Sequence, residues 1–405
     1  MQYVLCHCLL FLILFAFAAA APTFIVGPEA GAEQSQLEDL ALKDARRYVG
    51  LLTGEAPTLV QLNSAAPLPK QSVYFATVGR HAATHALLLD WDQDGAFALA
   101  LNSLDTPDSH LLHTFQNGAM ACIGASERAT LYASYALAEE LGARFFIDND
   151  VLPQPSSLAL VSVRSSGLRK VFSPAFQSRG LQPFMNFYNG PSWWTTQNFQ
   201  ALATQMAKLK LNYWAFHTYP LRQNVWIGVE GAFDPNTGEV PVNPNVTYGN
   251  GFSKVTGATS FCCGAAQLFS RDCFSNDIMT GRCQNSPVNQ AAWVNLVAAQ
   301  QREAFGFARD VMGVETSLGI EFPLTLPSAL VKANTTLLEA YTGMFKRLVA
   351  AKIPISSFWL WSSETIENHQ DGKGKTNQSD PMWHSLVEEI QIAQVSSPDN
   401  PIHPV

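Results

Sequence analysis

The chain has 405 residues, of which 47% are hydrophobic and only 14% are charged, so it can bury a sizeable core and is not disordered over its length. The formal net charge is −8 and no basic cluster is present, which argues against nucleic acid as a partner because phosphates would not be neutralised. A chain of this length holds two domains or one large domain.

Residues 1–20 predict a signal peptide. An apolar run over 9–17 is followed by four alanines at 18–21, which fit a small-residue cleavage site. An uncleaved anchor is the alternative, because the segment before the run lacks Lys and Arg. Later stretches are too short or too polar to span a bilayer. The mature protein is therefore expected to be secreted or extracellular, with a vacuolar or lysosomal location as the alternative.

Cysteines and sequons agree with a secreted chain. The clustered cysteines are Cys262, Cys263, Cys273 and Cys283. In a secreted protein they predict disulfides that staple a loop, with connectivity left open. Metal binding is less favoured, because the cluster lacks histidine and CxxC spacing. Cys122 lies in an apolar strand and is expected to be a buried free thiol. Glycosylation sequons begin at Asn245, Asn334 and Asn377.

Residues 21–165 predict a small α/β domain. A short strand over 23–27 is followed by a helix over 36–53, which Gly54 ends. A second helix begins after the segment 124–128 and stops at Gly142. The remaining predicted strands cover 72–78, 96–101, 120–124 and 144–147.

Residues 170–395 alternate between strand and helix, which predicts a parallel sheet. Strands are predicted near 176–181, 212–216, 317–322 and 357–361, and helices near 195–210, 288–312, 335–351 and 382–393. A Cys-rich insertion covers about 221–287, and 396–405 is a Pro-rich tail. The predicted fold class is α/β, with the small domain followed by a partial TIM-type (β/α) barrel. It has about four βα units where a closed barrel needs eight.

The stretch 173–220 places polar and aromatic residues where the first two barrel strands end. Trp193 and Trp194 follow the first strand, and His217 and Tyr219 end the second. The carboxyl ends of the strands carry the chemistry in barrel enzymes, and tryptophans there stack on sugar faces. This pattern predicts a carbohydrate-active barrel.

Glycosidic bond cleavage normally needs two carboxyl groups, one of which protonates the leaving oxygen. Glu364 follows the fourth strand and is the first candidate for the acid, with Glu367 in reserve. Glu321 ends the third strand, where it could orient the acid or bind a sugar hydroxyl. A solvated loop carboxylate or a salt-bridge partner is the alternative for each of the three.

The candidate binding residues have structural alternatives as well. Arg179 could clamp a uronate carboxylate in a bidentate fork, or it could tie the first strand to the first domain. His217 could bind a hydroxyl or carboxylate, or it could be a satisfied core histidine. Trp361 and Trp359 share one side of their strand and could form a sugar platform with Trp193 and Trp194, or simply fill the barrel.

The run ERATLYASYALAEELGARFF, after a Gly-containing strand, resembles the small α/β domain that precedes the catalytic barrel in α-glucuronidases. Related domains precede the barrel in bacterial-type β-N-acetylhexosaminidases. The run RGLQPFMNFYNGPSWWTTQNFQALATQMAKLKLNYWAFHTYP resembles the first barrel turns of proteins that carry that amino-terminal domain. LGIEFPL and FWLWSSETIE fit barrel strands three and four. The resemblance implies a glycoside hydrolase-like protein with a (β/α)8 domain, of which this chain supplies the first half.

We therefore expect a secreted glycoside hydrolase-like protein that acts on a polysaccharide or oligosaccharide, with uronic-acid-containing chains as one candidate. A non-catalytic carbohydrate-binding protein, an inactive truncated fragment and a disulfide-stapled extracellular scaffold are the alternatives. A half barrel implies an incomplete gene model or fragment, or a second copy that closes the barrel; the first is more economical. No cofactor or metal is expected, and the sequence leaves the oligomeric state open.

Overall fold

The computed structural model describes residues 23–29, 31, 33–62, 72–183, 194–218, 299–322, 349, 352–362 and 403–404. The chain is mixed α/β and divides into two compact units, Met1–Gln177 and Ser178–Val405. This division falls later than the predicted boundary at 165–170. The reason is that the strand Arg169–Phe172 pairs within the sheet of the first unit.

The first unit contains one six-stranded sheet and a short two-stranded ribbon. Its strands are β1 (Phe24–Glu29), β2 (Thr58–Leu62), β3 (Ser72–Thr77), β4 (His110–Thr114), β5 (Met120–Gly124), β6 (Arg144–Phe145), β7 (Asp150–Val151) and β8 (Arg169–Phe172). The sheet order is β2-β1-β3-β5-β4-β8, and β6 pairs with β7 in the ribbon. β1, β2, β3 and β5 run parallel, whereas β4 is antiparallel to both of its neighbours.

Five helices accompany this sheet. They are α1 (Gln36–Thr53), α2 (Ala82–Asp90), α3 (Ala96–Asn102), α4 (Glu127–Glu140) and α5 (Ala159–Ser165). α1 has the predicted bounds, because Ser35 forms a capping box with Glu38 and Gly54 ends the helix at a φ of 86°. α1 packs on α4 through the edge-to-face rings of Tyr48 and Tyr135.

One predicted strand of the first unit is wrong, and another is shorter than predicted. The apolar run 96–101 is the helix α3, since the Asp92 carboxylate accepts hydrogen bonds from the backbone N–H groups of Phe97 and Ala98 and so caps its first turn. A short apolar run does not distinguish the two structures by periodicity. The strand predicted over 144–147 is shortened to β6, which belongs to the ribbon rather than to the main sheet.

The second unit contains a parallel sheet whose strands follow one another in chain order. They are β9 (Gly180–Leu181), β10 (Tyr213–Thr218), β11 (Glu315–Phe322), β12 (Ser357–Ser362) and β13 (His403–Pro404). The predicted parallel arrangement of the first four is confirmed, and β13 lies in the stretch predicted as a tail. Sequential neighbours of this kind are the strand order of a βα-barrel. Whether the barrel closes falls outside the described residues.

Among the described residues, two helical segments cover one face of this sheet. α6 spans Thr196–Lys208, and α7 covers 299–306 and continues as a π-helical turn at Phe307–Val311. Phe199 of α6 and Phe305 of α7 both contact the fully buried ring of Trp214, at centroid distances of 5.8 and 5.2 Å. Phe216, two residues on, contacts the same two phenylalanines. None of the helices in the described ranges is long and apolar enough to cross a membrane.

Candidate functional site

The two faces of the second sheet differ in chemistry. Trp214, Phe216, Leu318 and Phe358 are buried, and the strand register places Phe216, Leu318 and Phe358 side by side. Because α6 and α7 pack on this face and side chains alternate along a strand, the odd-numbered positions of β10, β11 and β12 occupy the opposite face. In a βα-barrel that opposite face is the interior.

Four of the predicted site residues lie on this opposite face, at two successive positions along the strands. His217 pairs in register with Gly319, and Gly319 pairs with Trp359. Two residues nearer the carboxyl ends, Glu321 pairs with Trp361. The register therefore places Glu321 and Trp361 at neighbouring positions on β11 and β12, and it places His217 on β10 beside Gly319, two residues before Glu321.

At the amino end of the same face, polar side chains bond to other groups of the sheet. The Tyr213 hydroxyl and the Ser357 hydroxyl lie 3.2 Å apart and share a hydrogen bond across β11. Ser317, between them on β11, is fully buried and donates to the carbonyl of Trp214. This end of the face is therefore held together by its own hydroxyls.

Arg179 does not lie at the carboxyl ends of the strands. The predicted first strand, near 176–181, includes Arg179, but the observed strand begins at Gly180, so Arg179 precedes it. Its Nε and Nη2 donate to the carbonyl oxygen of Lys210 at 3.0 and 2.9 Å, and its backbone N–H donates to Asn212 Oδ1. The guanidinium therefore joins the amino ends of β9 and β10. We do not include Arg179 in the candidate site at the carboxyl ends of the strands.

A contact within the protein explains the position of Trp194 without a bound sugar. Thr195 caps α6, its hydroxyl accepting from the backbone N–H of Asn198. Trp194 precedes this cap and packs edge-to-face on Phe199, with ring centroids 5.2 Å apart. This is the geometry of a hydrophobic staple, in which the residue before the cap contacts the fourth residue of the helix.

The remaining predicted site residues lie outside the described part of the chain. They are Glu364, Glu367, Tyr219, Trp193, the sequon asparagines Asn245, Asn334 and Asn377, and the cysteines Cys262, Cys263, Cys273 and Cys283. Their assignments stay predictions. The expectation for Cys122 is confirmed, because it is a free thiol on β5 and burial raises its pKa.

The first unit also contains a buried polar network that was not predicted from the sequence. Its centre is Glu38, only 2% exposed, whose Oε1 accepts from the Thr77 hydroxyl at 2.6 Å. The Thr77 hydroxyl also lies 2.8 Å from that of Thr130. The His81 ring joins through both nitrogens, since Nδ1 accepts from the Thr77 N–H and Nε2 lies 3.5 Å from Glu38 Oε1.

This network lies where ligands usually bind in sheets of this topology. The order β2-β1-β3 changes direction at β1, and the crevice beyond the carboxyl ends at such a switch point is the common ligand site. Here Arg80 occupies the position. It donates to the carbonyl of Glu33, lies 3.4 Å from Glu38 and pairs with Glu127 at 2.8 Å. The charged groups of the crevice are thus paired with one another, whereas His81 Nε2, 3.5 Å from Glu38, makes no hydrogen bond with a described residue.

A sequence signal for part of this network existed. Ser35-x-x-Glu38 before an apolar run is the pattern of a capping box, and both of its hydrogen bonds are present, from Ser35 N–H to Glu38 and from Glu38 N–H to Ser35. The pairing of Glu38 with Thr77, 39 residues later in the chain, has no sequence pattern because it depends on where α1 packs on β3.

Comparison with known proteins does not assign the chain to a family. No protein-family model matches it, and no curated protein does. Similar solved structures include a GH138 enzyme targeting pectin rhamnogalacturonan II, with 7% identity and a TM-score of 0.41 over 84% of this chain and 30% of that one. A family GH115 4-O-methyl-α-glucuronidase with specificity for decorated arabinogalactans has 11% identity and a TM-score of 0.36, over 94% and 57%.

A β-hexosaminidase of Streptomyces plicatus is also similar, with 9% identity and a TM-score of 0.41 over 84% of this chain and 55% of that one. All three are glycoside hydrolases. This chain spans between 30% and 57% of their lengths. No residue of this chain takes a role from them, and the site rests on its own strand register.

Proposed function

We propose that this chain is a secreted glycoside hydrolase-like protein that cleaves a glycosidic bond in a polysaccharide or oligosaccharide. Its active site lies at the carboxyl ends of β10, β11 and β12. The observation that carries the proposal is the register of Glu321 with Trp361 on adjacent parallel strands, on the face opposite the helices. Glycosidic cleavage uses carboxyl groups, and aromatic rings at strand ends stack on sugar faces, so a carboxylate beside an aromatic residue supports a glycosidase site.

Within this proposal, Glu364 is the general acid. The assignment rests on its sequence position, two residues after Ser362, the last residue of β12. Glu321 binds a sugar hydroxyl or orients the acid, and Glu367 is the reserve for the acid. His217, Tyr219, Trp193 and Trp361 contribute to substrate binding.

Uronic-acid-containing glycans are the substrate class we propose first, on the strength of the resemblance of the first unit to the amino-terminal domain of α-glucuronidases. Secretion is part of the same proposal and rests on the segment 1–20. The sequons and the cysteine loop support it, because both are typical of extracellular proteins.

Glu364→Gln tests the acid directly. A general acid matters most when the leaving group is basic, so the variant should lose about 10²–10⁴-fold in kcat on a natural glycan. It should lose much less on an aryl glycoside whose phenol leaves easily. The measurement is kcat on glucuronoxylan and on a series of aryl glycosides of falling leaving-group pKa.

The same strand offers a matched control for Glu321. Glu315 begins β11 and Glu321 lies near its end, so Glu315→Gln changes the same charge at the opposite edge of the sheet. We expect Glu321→Gln to lower kcat/KM and Glu315→Gln to leave it unchanged.

Full activity of Glu364→Gln on natural glycan would remove the acid assignment. Glycan binding without hydrolysis by the wild-type protein would favour the non-catalytic alternative.

A further inference from the structure

A groove of about 460 Å³ lies on the first unit, between the β4–β5 hairpin and the segment from α5 to β8. Its volume is within the range of small-molecule sites, roughly 300–1,000 Å³. The hairpin contributes Gln116 and Asn117, and the other side contributes Val161, Arg164 and Arg169. Both amide side chains are exposed and Val161 is 47% exposed, so the groove is open to a ligand from solvent.

Two guanidinium groups give the groove a positive character. Arg164 is half-buried, and burial lowers its pKa to about 10, which leaves it charged at neutral pH. Arg169 pairs with Asp94 at 2.6 Å, with both side chains more than 40% exposed. A charge held partly out of water interacts more strongly with a counter-ion than a fully solvated one does. The half-buried Arg164 is thus the stronger anchor for an anion, and Arg169 is the more accessible one.

The neutral groups around these cations suit a sugar. Amide side chains both donate and accept, as sugar hydroxyls do. Asn117 is held in place, because its Oδ1 accepts from the Ala119 N–H at 2.9 Å. On the floor, the hydroxyl of Thr114 is buried and makes no hydrogen bond with any described residue. Val161 offers an apolar contact to the face of a sugar ring.

We propose that this groove is an accessory binding site for an acidic sugar unit, whose carboxylate is held by Arg164 and Arg169. Guanidinium groups bind carboxylates through paired, charge-assisted hydrogen bonds, which gives them both strength and geometry. The amides of Gln116 and Asn117 bind the hydroxyls of the same or the next unit. The choice of an acidic sugar among carboxylates rests on the proposed function, whereas the anion site itself does not.

Calorimetric titration of the full chain with tetragalacturonate, xylotetraose and inorganic sulfate tests this proposal. We expect tetragalacturonate to bind and xylotetraose not to bind. Arg169→Gln should weaken the binding about tenfold, the value of one charge-assisted hydrogen bond. Arg164→Gln should weaken it at least as much, with circular dichroism to check that the half-buried site still folds.

Two control variants separate recognition from general charge. Lys170 is adjacent to Arg169 and is also ion-paired, with Glu140, but it does not line the groove, so Lys170→Gln should leave binding unchanged. Asp94→Asn removes the carboxylate that competes for Arg169, so it should tighten binding.

The proposal is overturned if tetragalacturonate does not bind, or if Lys170→Gln weakens it as much as Arg169→Gln does. Sulfate that binds as tightly as tetragalacturonate, with the same response to Arg169→Gln, would also overturn the sugar assignment. Failure of the glycosidase proposal is distinguishable, because Glu364→Gln changes hydrolysis at the second unit and should leave this titration unchanged.

Discussion

Glu38 shows how one residue joins three elements of the first unit. It lies in the first turn of α1, where a carboxylate interacts favourably with the helix dipole and completes the capping box. The same carboxylate accepts from Thr77 at the end of β3 and lies near Arg80 and His81 in the following loop. Buried polar groups stabilise a fold when each has its partner, and removing one leaves the others desolvated and unpaired.

We therefore expect Glu38→Ala to destabilise the protein by about 2–4 kcal/mol, since it removes the Glu38 half of the capping box and an acceptor for buried groups. Urea unfolding followed by circular dichroism gives the free energy of unfolding. Asp39→Ala is the control. Asp39 is half-exposed and pairs only with Lys43 at 3.8 Å, so its removal should cost about 0.5 kcal/mol or less. Equal losses in the two variants would show that the network adds nothing beyond helix-end electrostatics.

At the scale of single elements, two separate interactions stabilise the start of α6. Thr195 accepts from the Asn198 N–H and its own N–H donates to Asn198 Oδ1, which satisfies backbone donors at the helix start. Trp194 then packs on Phe199, whose other contacts are the buried rings of Trp214 and Phe216. The start of α6 is therefore anchored into the core of the second unit, and Trp194 is one link of that anchor.

Substitution of Trp194 separates this role from sugar stacking. Trp194→Ala should lower the free energy of unfolding by about 1–2 kcal/mol through the lost ring contact. Trp194→Leu keeps an apolar contact with Phe199 and should recover about half of that loss. If Trp194 acts only as a staple, KM for glycan should stay unchanged in the leucine variant. A rise in KM with stability recovered would instead indicate direct contact with the substrate.

For the whole molecule, the buried histidines of the first unit make stability depend on pH. Burial lowers the pKa of His81, His85 and His113, because a buried imidazolium loses its hydration. His113 is packed between Phe97 and Phe115 and also lies near the charge of Arg169, which lowers its pKa further. In the unfolded chain these rings return to the ordinary value near 6.5.

The direction of the effect follows from these pKa values. Below pH 6.5 the unfolded state binds more protons than the folded state, so the free energy of unfolding falls as pH falls. Each histidine contributes at most about 1.4 kcal/mol per pH unit in that window. At lower pH a second loss begins, because hydrogen bonds from Ser173 and Ser109 lower the pKa of Asp105 and its protonation in the unfolded state comes first.

Thermal unfolding between pH 8 and pH 4.5 measures this dependence in the wild type and in His113→Gln. The variant should be less stable than the wild type at pH 8, and the difference should shrink as pH falls to 5. The difference should keep shrinking until the pH falls below the lowered pKa of His113 in the folded state, and from there the two curves should run parallel. A constant difference across the whole range would show that His113 does not change its protonation on unfolding.

The outline of the fold could be predicted wherever the local pattern was strong. The helix α1 and the strand β5 have the predicted bounds, because caps, glycines and long periodic runs are local signals. Short elements were harder. The apolar run 96–101 became a helix through a cap supplied by Asp92, and β2 and β4 were not predicted, since a five-residue segment takes its structure from its neighbours in the sheet.

The sequence by itself determined which strands of the second unit are parallel and which residue types stand near their carboxyl ends, since both follow from strand–helix alternation along the chain. Only the tertiary structure decided which of those residues lie side by side. Register put Glu321 beside Trp361, while the start of β9 at Gly180 put Arg179 at the opposite edge. The buried network of Glu38 and the groove of Arg164 likewise join residues far apart in the chain. The reason is physical: periodicity is set by neighbours along the chain, whereas register and burial are set by packing between elements that the chain brings together only on folding.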